Sequence, residues 1–376
     1  MSTNERNQRN AAEQHAKGSL LPRPASVLRF TWERGLTSFG ETWSSVSRAL
    51  NIIEAGLGAG WSLRVALPFE VSQIGADSSD HADNGAVIFA ARQLMQLGIG
   101  IDLAPRVAGN RALNTSTAAT MHAHLLPALS AVIEQLSSSS SLPAPAPGVL
   151  LHLEPSPPQV SAAWAARRGA SMAARLRGVS STLAGMASAV WMARQGRRDL
   201  VEFAHDLRAL PWPVLATSPP PLLPLDTIAN STALHWLLGC PDTSLWADDV
   251  DGALFGPTAA LCFAPLLATV VGARDRSEQH RALTLWAARH REKSHAVCVG
   301  PLSALAGVDV DVDAVYLSPA HLRQDLQAMR ALGFVDLTVT SLDGLVLDSS
   351  GAVRADLDTW LGAVVDTAVS DVSPAA

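Results

Sequence analysis

Lysine, tyrosine and cysteine are the scarce residues of this chain of 376. Lys17 and Lys293 are its only lysines, Tyr316 is its only tyrosine, and all other basic residues are arginine. That arginine bias reads as codon usage in a GC-rich genome. Three cysteines, Cys240, Cys262 and Cys298, are widely spaced and odd in number, which excludes a disulfide framework and a cysteine metal motif and fits a reducing, cytoplasmic setting. There is no basic excess: the formal net charge is −6, so the clustered positive face that nucleic acid requires is not expected. No apolar core follows Met1, and the polar stretch 1–24 is expected to be a disordered leader, not a secretory signal. Gly-x-Ser-x-Gly elbows and phosphate-binding loops are absent, and Gly56–Gly60 follows a helical pattern and precedes a strand, the reverse of a dinucleotide loop. One long stretch, Gly252–Ala273, carries no charge. Its two prolines and its glycines make it only mildly apolar, so it is expected to be a buried barrel helix and not a membrane span.

What is present is a repeated unit: a short apolar run ending in a polar residue, then a longer stretch with helical spacing. The runs are Val27–Glu33, Leu63–Glu70, Ile99–Arg106, Val149–Glu154, Val214–Ser218, Ser244–Asp248, Ala296–Gly300 and Asp336–Ser341. Eight strand-then-helix units predict an α/β fold, a closed (β/α)8 barrel, whose chemistry gathers at the C-terminal ends of the strands. The barrel is expected over residues 25–367 as one domain, with a Ser/Pro-rich loop over 137–148, an extended helical insertion after strand 4 over 155–210, and a flexible tail over 368–376. In the last unit, Ser318 should cap a helix with Pro319 at its first position. Leu322, Leu326 and Met329 should line its buried face, and Gly333 should end it.

Alternation along a strand assigns each side chain to one face. The outer face must pack against helices, so the apolar set points outward and the rest points into the barrel. Leu28, Phe30 and Trp32 go outward, leaving Arg29, Thr31 and Glu33 inside. Leu63, Val65, Leu67 and Phe69 go outward, leaving Arg64, Ala66, Pro68 and Glu70. Ile99, Ile101 and Leu103 go outward, leaving Asp102, Ala104 and Arg106. The same rule turns His152 and Glu154 inward on the fourth strand, Trp246 and Asp248 on the sixth, and Thr338 and Thr340 on the eighth. Asp343 reaches the mouth only from the loop beyond that strand.

The acidic groups so gathered suggest glycoside hydrolysis. Two carboxyl groups flanking a scissile bond act as acid and as nucleophile or base, at about 5 to 5.5 Å for retention and about 6.5–9.5 Å for inversion. Glu154 is the candidate acid, since Leu153 and Pro155 limit its hydration. Glu70 or Asp248 is its partner, and Glu33, Arg106, His152 and Trp246 are candidate substrate-binding residues. A saccharide or other small molecule is the expected partner, and no cofactor is required. Two alternatives stand beside this. The same carboxylates with His152 would hold a divalent ion such as Mg²⁺, Mn²⁺ or Zn²⁺ for sugar isomerisation, epimerisation or hydrolysis. Leu151–Pro155 (LHLEP) resembles the strand-end Glu-Pro of xylose-isomerase-like barrels over those residues alone, and no ligand is carried over from it. Alternatively, Arg29, Arg64 and Arg106 neutralise Glu33, Glu70 and Asp102 in a buried network, and the barrel is a non-catalytic binding or scaffold protein. The pair His122 and His124 lies two apart on a helical pattern, where the side chains diverge, and is set aside.

Overall fold

Eight parallel strands close into a ring in chain order, the last pairing with the first. The computed structural model describes residues 26–58, 60–71, 82–107, 126–137, 144–152, 212–218, 252–255, 296–300, 318–348 and 350–369, with single helical residues at 202, 206, 277, 280, 281, 284 and 288. The strands are β1 (Ser26–Thr31), β2 (Trp61–Val71), β3 (Gly100–Val107), β4 (Gly148–His152), β5 (Val214–Ser218), β6 (Gly252–Phe255), β7 (Ala296–Val299) and β8 (Asp336–Thr340). The described helices are α1 (Leu36–Glu41), α2 (Trp43–Gly56), α3 (Ala82–Gln96), α4 (Leu126–Ser137), α5 (Pro319–Ala331), α6 (Leu342–Val346) and α7 (Leu357–Val369). Together they make an α/β barrel of the (β/α)8 type.

The core is the cylinder between strands and helices. Leu28, Phe30 and Trp32 of the first unit, Val65, Leu67 and Phe69 of β2, Ile101 and Leu103 of β3, and Leu337 and Val339 of β8 are all buried there. Each such side chain gives about 1.5–3 kcal/mol relative to exposure, and this term holds the helices on the ring. The assigned faces of β1, β2, β3 and β8 are those observed. α5 also follows its expected pattern. The Ser318 hydroxyl accepts from the His321 N–H at 3.4 Å, Pro319 opens the helix, and Leu322, Leu326 and Met329 are buried. Gly333 takes a φ of 90° just beyond the end, a conformation that favours glycine.

The sixth strand is a correction. It runs over Gly252–Phe255, pairing with Leu215–Ser218 of β5 and with Ala296 and Val297 of β7. Ser244–Asp248 therefore precedes it, and the start of Gly252–Ala273 is strand, not helix. A parallel strand buried on both faces reads as a continuous apolar run, which periodicity does not separate from a buried helix. The alternating SLWAD segment looked more strand-like than the true strand. Among the described residues no helix is long and apolar enough to cross a membrane. The insertion expected over 155–210 lies almost wholly outside the described residues.

Candidate functional site at the C-terminal mouth

Inside the ring, the N-terminal half is filled by charge. Arg29 Nε donates to Asp102 Oδ2 at 2.6 Å, and its Nη1 donates to Asp336 Oδ1 at 2.6 Å and to Thr338 Oγ1 at 3.2 Å. Arg64 Nη2 donates to Asp102 Oδ1 at 2.7 Å and to the carbonyls of Ile101 and Ala146. Burial works against an Asp102 charge, but the attraction of Arg29 and Arg64 and their hydrogen bonds outweigh it and hold the carboxyl down to about 2. Arg29 suffers the same burial, yet Asp102 and Asp336 keep its pKa above the ordinary value. Among the described residues Asp336 bonds Arg29, and burial outweighs that pairing, so its pKa rises. This network was foreseen for Arg29, Arg64 and Asp102. Asp336 was missed, although the alternation that turned Thr338 and Thr340 inward carries down to it.

Beyond the charges, Ala66, Ala104, Leu150 and Ala296 form a small apolar cluster, with Leu215 packed against it. Among the described residues, side chains from β2, β3, β4 and β7 thus pack in the barrel centre.

At the C-terminal mouth Arg106 Nη2 donates to Glu33 Oε2 at 2.6 Å. Glu33 lies just past the end of β1 and Arg106 near the end of β3, so the pair reaches across β2. Glu70 stands on β2 in register with Arg106, and its side chain is outside the described residues. Asp343, in the first turn of α6, is nearly fully buried beside the pair. Its Oδ1 accepts the Glu33 backbone N–H at 3.0 Å, and Arg34 Nε lies 3.6 Å from its Oδ2. Burial raises the Asp343 pKa most, the nearby Glu33 charge adds to this, and the hydrogen bonds from the Glu33 N–H and Ser341 oppose it. Deeper on β1, the Thr31 hydroxyl is buried with no hydrogen-bond partner among the described residues. On β7, Cys298 Sγ meets Thr340 Oγ1 at 3.2 Å.

Of the predicted residues, the structure joins Glu33 and Arg106. His152 ends β4 in register with Thr217 of β5, and nothing more is described of it. Glu154, Trp246 and Asp248 lie outside the described residues. For Trp246 and Asp248 the correction goes further: both precede β6, so the alternation that aimed them at the mouth no longer applies to them. Asp343 carries more of the rim than its loop position suggested; its signal was an acidic residue directly after a β-branched strand. Among the described residues no group of three or more His, Cys, Asp or Glu is arranged to hold a metal ion. His280 and Asp325, whose Nδ1 and Oδ1 are 2.6 Å apart, form a pair in the outer helical layer.

No protein-family model matches the chain, and no curated protein matches it. Among solved structures, the chain is similar to the catalytic domain of a β-amylase from Paenibacillus polymyxa, at 8% identity and a TM-score of 0.48, over 92% of this chain and 99% of that one.

Proposed function

We propose that this protein is a carbohydrate-active hydrolase working at the C-terminal mouth of its barrel, with Glu154 as general acid and Glu70 as the partner carboxylate. Glu33 and Arg106 border the site, and His152, two residues before Glu154, orients the substrate. Asp248 precedes β6 and is left out of the pair. The observation that supports this reading most directly is the Glu33–Arg106 ion pair at 2.6 Å across the end of β2, with Glu70 in register with Arg106. The pair spans the end of β2, where the backbone of Glu70 stands in register with Arg106. A general acid contributes typically 10²–10⁴-fold to such a reaction. Release of reducing ends from a panel of neutral oligosaccharides, with and without chelator, tests it. Glu154→Gln and Glu70→Gln should each lower turnover by about 100-fold or more while circular dichroism stays native. Wild-type turnover in both variants, or no cleavage of any member of the panel, overturns the hydrolase.

A second reading has its own support. Glu33 is already neutralised by Arg106, and a rim of satisfied ion pairs suits a binding barrel without chemistry. That reading expects saccharide binding by calorimetry with no reducing ends released.

A further inference from the structure

We infer that Asp343 is a positioning residue for Glu33, fastening the end of β1 to the turn after β8 so that the Glu33 carboxylate meets Arg106 across β2. The inference rests on the mouth being the working site, as proposed above. Glu33 follows β1 where strand pairing has ended: the last residue of β1, Thr31, is opposite Ala66 and Thr340. From there the chain must be held by other means. Trp32 N–H still donates to the Ala66 carbonyl at 2.9 Å, and the next N–H, that of Glu33, donates to Asp343 Oδ1 at 3.0 Å. Asp343 is itself fixed. It lies in the first turn of α6, whose preceding Ser341 hydroxyl accepts from Gly344 N–H at 3.2 Å, and its side chain is 2% exposed. Arg34 Nε, 3.6 Å from the other carboxylate oxygen, holds the following residue of the same loop. A side chain this buried, spanning a sequence separation of 310 to bond one backbone N–H, orients the residue that carries that N–H. The side chain of Glu33 then has one short reach to Arg106, at 2.6 Å.

The test reads the Glu33 carboxyl directly, by carbon-detected NMR titration of the full chain, in wild type, Asp343→Asn and Asp343→Ala. Asparagine keeps an oxygen that accepts the Glu33 N–H but cannot ionise, so any electrostatic effect of Asp343 on the Glu33 midpoint is removed while the anchor stays. Alanine cannot ionise either and also removes the anchor. If Asp343 positions Glu33, the Arg106 pairing loosens and the midpoint should rise above that of the asparagine variant by about 1 unit or more, the size of the effect of a close opposite charge. A merely electrostatic or packing role predicts equal midpoints in the two variants, and that result overturns the inference. Asp343→Ser, too short to reach the N–H, supplies the same comparison should the alanine variant not fold. The titration needs no substrate, so its outcome is separate from that of the Glu154 and Glu70 measurements.

Discussion

Single side chains inside this barrel differ sharply in what they are worth. Asp102 joins two arginines and is 2% exposed, so Asp102→Asn leaves the buried Arg29 and the partly buried Arg64 with one less anion. Breaking a buried pair from one side costs about 3–5 kcal/mol, and equilibrium unfolding in urea should show a loss of that order. The pH dependence follows from the same carboxyl. Its folded pKa of about 2 lies below the ordinary 3.8, so its contribution is fully present above about 4 and is lost as pH falls through about 2. The wild type should therefore lose stability across that acid window faster than Asp102→Asn does. Thr31 presents the opposite case. Its buried hydroxyl has no partner among the described residues, and an unsatisfied polar group carries a penalty of about 1–3 kcal/mol. Thr31→Val should raise the unfolding free energy by about 1 kcal/mol, and an unchanged or lowered value would show that the hydroxyl is bonded in solution.

At the scale of strands and helices, the local pattern decides how much can be read in advance. β1, β2, β3 and β8 alternate cleanly between a core face and an inner face, and counting along them put Arg29, Arg64, Asp102, Arg106 and Glu33 inside, where they are found. β6 does not alternate in sequence, because the short run Gly-Ala-Leu-Phe has no polar residue to betray a face. The same counting, applied to Ser244–Asp248, chose the wrong segment and took Trp246 and Asp248 with it. The meeting of β3 and β4 shows another limit. A Cβ added at Gly148, the first residue of β4, would run into the Asp102 carboxylate, with Arg64 Nη2 3.3 Å away. Gly148 is thus required by a contact with another strand, which no local pattern announces. Gly148→Ala should displace Asp102 from its arginines and destabilise the fold by an amount comparable to Asp102→Asn. In a double variant the two losses should not add, since both remove one interaction. Additive losses would show that the glycine serves something other than the network.

Closure of the ring is the property that makes the mouth, and it depends on the seam between the first strand and the last. β8 pairs with β1 on one side and with β7 on the other, so the two ends of the chain's described part meet in one ladder. The seam is fixed inside the barrel by Arg29, which bonds both Asp336 and Thr338, and at the mouth by Asp343, which bonds the Glu33 N–H. Outside it, α7 buries Leu357, Trp360, Leu361 and Val364 in the same core as Leu50 and Ile53 of α2 and Leu322 and Leu326 of α5. A chain ending at Val335 loses all of these together. β1 and β7 become open edges, Arg29 keeps only Asp102 among these partners, and the outer core beneath α2 and α5 is uncovered. Such a chain should lose its near-ultraviolet circular dichroism and bind a hydrophobic dye while keeping much of its helical signal, since packing is lost before local structure. If it instead keeps native near-ultraviolet signal and the full-length melting temperature, then the ring is not the folding unit, and a mouth assembled from β1, β3 and the turn after β8 has no closed frame to hold it.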